Sequence, residues 1–95
     1  MDALWAICSG KFVGWRKEDK LYNANGDNVG HFSDDVAHSL NGNYIGEMYS
    51  KDRIGKRSTA SHAGGVGTVR TVGIATARRA DRGAIGVAGW EDPDF

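Results

Sequence analysis

The sequence predicts an all-β domain of short antiparallel hairpins that recur about every 16 residues, and three observations predict it. Glycines fall sixteen residues apart at Gly14, Gly30 and Gly46, and each is preceded, four residues earlier, by Gly10, Gly26 or Gly42. A β-branched residue (Val13, Val29, Ile45) stands directly before each of the second glycines. Asn-Gly pairs punctuate two of the three units, and no helical periodicity develops before Ile54.

The first hairpin is expected over residues 5–15. A turn at Ser9-Gly10 pairs Cys8 with Lys11, Ile7 with Phe12, Ala6 with Val13 and Trp5 with Gly14. The second spans 21–32 around Asn25-Gly26 and pairs Leu21 with Gly30; the third spans 37–48 around Asn41-Gly42 and pairs Ala37 with Gly46. An Asn-Gly dipeptide suits a type I′ turn because both central residues need positive φ. Each strand glycine leaves bare backbone, which Trp5 and Leu21 are placed to cover from the opposite strand. The row Val13, Val29, Ile45 is expected to face a shared interior.

Polar tetrads at 17–20, 33–36 and 49–52 join the hairpins, with Asp supplying turn chemistry. A turn centred on Glu18-Asp19 pairs Trp15 with Tyr22, and the equivalent at Asp34-Asp35 pairs His31 with His38. A fourth unit starts on schedule at Arg53-Ile54-Gly55-Lys56, and its return strand is restated by Gly83-Ala84-Ile85-Gly86. The fourth hairpin is therefore expected as 53–57 plus 83–88, interrupted by a basic, Gly-rich insert at 58–82 that reads as a mobile loop. Trp90 is expected to anchor the tail.

Repeated hairpins, the Arg53-Ile54-Gly55 element, the basic Gly-rich insert, Ile85-Gly86 and the closing Gly89-Trp90-Glu91-Asp92-Pro93 together resemble the four-fold β-flower proteins, a small bacterial family of uncharacterised function. The resemblance covers nearly the whole chain. It implies four hairpin petals around a pseudo-fourfold axis, and it brings no catalytic or binding residues with it.

A chain of 95 residues forms one small domain with a thin core. The single cysteine, Cys8, leaves no internal disulfide framework and points to a reducing, cytoplasmic setting; a lone cysteine beside Lys11 reads as a small core residue. Residues 1–10 are too short and too weakly apolar for a signal peptide, and no run approaches a membrane span. Net charge is zero but uneven: residues 1–55 carry six basic residues and eight acids, whereas residues 56–90 carry six basic residues and one acid.

The histidines supply the one candidate metal site. A cross-strand His31–His38 pair with Glu47, one repeat after His31, places three candidate ligands on one face. The plainer account is half-exposed polar residues on a repeat surface, and neither a cofactor nor a catalytic residue is assigned. Lys56, Arg57, Arg70, Arg78, Arg79 and Arg82 could neutralise phosphates in a sequence-blind manner. No Phe, Trp or Tyr stands between Lys56 and Gly89 to stack on bases, so the arginines are expected instead to meet the acidic turns or the tail.

The functional expectation is a small non-enzymatic interaction or assembly module that self-associates through apolar residues such as Trp15, Tyr22 and Met48. A low-specificity nucleic-acid or anionic-polymer binder acting through 56–82 is the second reading. A metal-dependent enzyme at the His31/His38/Glu47 face is the third.

Overall fold

A computed structural model describes residues 1–57, 70–74, 77, 79–85 and 87–93. Among them there is no helix. The strands are β1 (Asp2–Ala6), β2 (Phe12–Lys17), β3 (Lys20–Asn23), β4 (Asn28–Ser33), β5 (Val36–Ser39), β6 (Tyr44–Met48), β7 (Arg53–Arg57) and β8 (Trp90–Glu91). Neighbours from β1 to β7 pair antiparallel in chain order. An odd number of such strands leaves the first and last running the same way, so β1 and β7 close the sheet as a parallel pair, Trp5 against Arg53 and Ala6 against Ile54. The result is a seven-stranded closed barrel of three hairpins plus β7, with β8 beside the far end of β7.

The expected pairs Trp15–Tyr22, Leu21–Gly30, His31–His38 and Ala37–Gly46 are all present. One register differs. The first hairpin pairs Leu4, not Trp5, with Gly14, because its tip is one residue longer: Ala6 N–H donates to the Lys11 carbonyl at 2.8 Å. In the second hairpin the corresponding closing bond runs from Asn23 to Asp27. The turn before β7 also gains a residue, so Met48 pairs with Ile54.

The hairpin tips are not type I′ turns. Gly26 (φ 87°) and Gly42 (φ 89°) are left-handed, but Asn25 and Asn41 are not. Gly26 N–H donates to the Asn23 carbonyl and Asn23 N–H to the Asp27 carbonyl, the pattern of a three-residue loop ending in a bulged glycine. The Asn23 side chain selects it, its Oδ1 accepting from the N–H groups of Asn25 and Asp27 at 3.0 Å each. Ser39 Oγ serves Asn43 N–H likewise in the third hairpin.

Leu21 stands across from Gly30 as expected, whereas Leu4 takes the place expected of Trp5 across from Gly14. The nearest neighbour of each strand glycine is the next strand's backbone, with the Ile45 side chain also close over Gly30. A Cβ on Gly14 would collide with the Tyr22 carbonyl, one on Gly30 with the His38 carbonyl, and one on Gly46 would come within 2.8 Å of the Gly55 carbonyl. One tight inter-hairpin approach is thus repeated three times, and it sets the curl of the barrel.

Side chains alternate between the two faces of the sheet. Leu4, Leu21, Ala37 and Ile54 are all fully buried and occupy matching places in successive hairpins, packed with Phe32 and Ile45. Val13 and Val29 lie against this cluster, so the β-branched row does face the interior. On the outer face, Trp5, Phe12, Trp15 and Tyr22 form a second cluster over the first two hairpins. Phe12 meets both Trp rings edge-on, at 5.8 and 5.3 Å.

The strand beside β7 is Trp90–Glu91 and not 83–88. Gly89 (φ 82°) turns the chain, with Trp90 N–H on the Val87 carbonyl, and brings Trp90 edge-on to Tyr49 at 5.2 Å. Residues 83–85 run outside any strand, and Gly86 lies outside the described residues. Asp92 then accepts the N–H groups of Cys8 and Ser9, which ties the tail to the tip of the first hairpin. Most of the 58–82 insert, including 58–69 and Arg78, also lies outside the described residues. No helix among the described residues is long and apolar enough to cross a membrane.

Candidate functional site

The last inward-facing residue of each outgoing strand stands at the barrel end that carries the inter-hairpin turns. These residues are Arg16, Phe32 and Met48, one repeat apart. Phe32 joins the core and Met48 packs on it, so the position is built for an apolar side chain. Arg16 fills it with a guanidinium lying 4.1 Å from the Phe32 ring centroid. Its Nε donates to the Glu18 carbonyl (3.2 Å), Nη1 to the Asp35 carboxylate (3.1 Å) and Nη2 to the Asp34 carbonyl (2.8 Å). One side chain thereby clamps two turns whose first central residues, Glu18 (φ 57°) and Asp34 (φ 55°), are left-handed. The clamp holds the cation rigid at the mouth, its side chain 24% exposed.

A cleft of about 300 Å³ opens there, lined by Asp2, Arg16, Asp35, Met48, Tyr49 and Lys51 together with Ser50. A recess of about 370 Å³ shares Asp2, Ser50 and Lys51 with it and extends to Trp5, Asp52 and Arg79. The mouth thus mixes two acids (Asp2, Asp35), two cations (Arg16, Lys51), the thioether of Met48 and the half-exposed ring of Tyr49. Of these, the sequence singles out only Met48, as an apolar contact residue, and Asp35, as a turn residue. The available signal was an arginine at a repeat position otherwise held by Phe32 and Met48.

The other predicted residues fall in separate places. His31 and His38 do stack across β4 and β5, ring centroids 5.7 Å apart. Glu47 is on β6 and pairs with Arg57 at 3.5 Å, and no group of three or more metal-ligating side chains forms among the described residues. Tyr44, opposite His38 on β6, has its hydroxyl pKa raised by burial, with Glu47 adding to the effect.

The basic residues disperse as well. Arg57 also lies 5.8 Å from the Trp90 ring, Arg70 is exposed, and Lys56 sits opposite Glu91. Arg79 stacks over Trp15 at 5.4 Å; Arg82 stacks over Trp5 at 3.6 Å and pairs with Asp52, so this arginine does meet an acidic turn. Burial raises the Asp52 pKa, but the Arg82 hydrogen bond and charge outweigh it and hold the carboxyl below its ordinary value. Trp15 and Tyr22, expected as a partner surface, are buried, 4% and 3% exposed.

Comparison of the chain with family models, curated proteins and solved structures finds no match.

Proposed function

We propose that the chain is a small non-enzymatic interaction module that self-associates, with the barrel mouth as its contact face. The observation that carries the reading is the Arg16 clamp: a guanidinium fixed at the rim of a cleft that also holds Lys51, Asp2 and Asp35. Equal numbers of acids and cations in one patch are complementary to themselves under a twofold axis, where each cation of one copy can face an acid of the other. Met48 and Tyr49, the latter 48% exposed, add apolar area at the centre. A closed sheet has few free edges to offer, which favours association through a face over strand addition. The resemblance to β-flower proteins fits this reading, and membership of that family is part of the proposal.

Sedimentation equilibrium of the full chain from about 10 μM to 1 mM tests it across the range of weak assembly. The weight-average mass should rise toward that of a dimer. Lys51→Glu should restore monomer, and Asp2→Lys combined with Lys51→Glu should recover the dimer. A monomer throughout, or a dimer indifferent to both changes, overturns the reading.

A further inference from the structure

We propose that residues 79–85 form a latch, a strap that opens from the aromatic face of the first hairpin while the barrel stays folded. What lies beneath is apolar: Trp5, Phe12 and Trp15 are each 7% exposed or less. What lies above is polar, and every residue from 79 to 85 is itself exposed.

The strap is held by separate polar contacts, some partly buried and some exposed. The Trp5 indole N–H donates to the Ala80 carbonyl (2.9 Å), and Phe12 N–H donates to the Asp81 carboxylate (2.8 Å). Arg82 N–H reaches the Gly10 carbonyl (2.7 Å) and Ile85 N–H the Cys8 carbonyl (3.0 Å). Arg53 donates to the Gly83 carbonyl at 3.4 Å. The Arg82 guanidinium covers the Trp5 ring while bonded to Asp52.

Within the strap it is guanidinium groups, not aliphatic side chains, that cover two of the aromatic rings. Exposed ion pairs and hydrogen bonds are individually weak and screened by salt, whereas the barrel is held by its ladder and by fully buried leucine and isoleucine. A segment with many exposed polar contacts and few buried apolar ones opens at a lower free energy than the body it covers. Opening uncovers Trp5, Phe12 and Trp15, the three aromatic residues that 79–82 contact.

Amide hydrogen exchange by NMR on the full chain reads this directly. The N–H groups of Phe12, Arg82 and Ile85 and the Trp5 indole report on the strap; those of Phe32 and Met48, bonded to the Asp19 and Asp35 carbonyls, report on the barrel. The strap group should exchange at least about tenfold faster than the barrel group, and faster still at high salt. Arg82→Gln should raise strap exchange by up to about fivefold and leave the barrel amides unchanged, and Asp52→Asn should do the same from the other side of the pair. Equal protection of both groups, or variants that speed both together, overturns the latch.

Discussion

The guanidinium of Arg16 lies 4.1 Å from the ring of Phe32, the residue that holds the same place one repeat later. A position that takes Phe and Met elsewhere therefore takes, once, a cation whose flat face packs like a ring and whose edge bonds two turns. The repeat is broken at the point where the mouth gains its fixed charge.

Arg16→Met, which restores the residue type of position 48, should cost about 1–2 kcal/mol, since three hydrogen bonds are lost and only apolar packing is retained. Arg16→Lys should recover less than half of that, because a single ammonium cannot serve both turns while stacking on Phe32. Urea unfolding of the three proteins at neutral pH decides it.

The strand glycines give a second ranking. A methyl group at Gly14 or Gly30 meets a neighbouring carbonyl oxygen, which cannot move without breaking the inter-hairpin ladder, whereas one at Gly83 meets nothing within 4 Å. Gly14→Ala and Gly30→Ala should each destabilise by about 2–4 kcal/mol. Gly83→Ala should stay within about 1 kcal/mol of the parent. Equal melting temperatures for all three would remove the close-approach account of the repeat.

Much of this fold is legible in the sequence because sheet pairing is local in a meander. Where turn lengths match, as at Glu18-Asp19 and Asp34-Asp35, counting alone places Trp15 on Tyr22 and His31 on His38. It fails at Leu4–Gly14, where one extra loop residue shifts the register without a change of composition. The fold of residues 79–92 back onto the first hairpin is illegible for another reason. Arg82 on Trp5 and Asp92 on Ser9 join residues more than seventy positions apart, and no periodicity encodes such contacts. The clamp at the mouth was written as a break in a pattern; the partners of Arg16 depend on two turns meeting in space.

Acid should loosen the attachments of the strap and the tail first. Burial raises both Asp52 and Asp92, but Arg82 outweighs it at Asp52, and the N–H groups of Ser9 and Cys8 outweigh it at Asp92, so both carboxyls titrate below the usual 3.8. A carboxyl with a depressed folded pKa contributes stability fully above its unfolded value and loses it as pH falls through the folded one. Stability should therefore be flat from neutral pH down to about pH 5 and fall through the region around and below 3.8. Asp52→Asn and Asp92→Asn should each shallow that decline. A denaturant midpoint that changes as steeply with pH in the double variant as in the parent would show that other acids govern it.

His31 and His38 stack at 5.7 Å, which is close enough for two ligands of one transition-metal ion. Structural zinc sites need four ligands and catalytic ones three, and Glu47 is drawn instead to Arg57 at 3.5 Å. Chelation by EDTA should thus leave the melting temperature unchanged, and excess Zn²⁺ should add less than about 1 kcal/mol, the stabilisation expected from millimolar affinity. Zinc raising stability by about 3 kcal/mol or more would instead require a third ligand and revive the metal site. The ring stack itself offers a control that involves no metal. His31 Nδ1 is buried without a hydrogen-bond partner among the described residues, so its polarity adds cost and little benefit. His31→Phe keeps a flat ring against His38 and removes that atom. It should be neutral or stabilising by up to about 1 kcal/mol, whereas a loss of more than that would show that the His31 imidazole bonds a group its stack alone does not reveal.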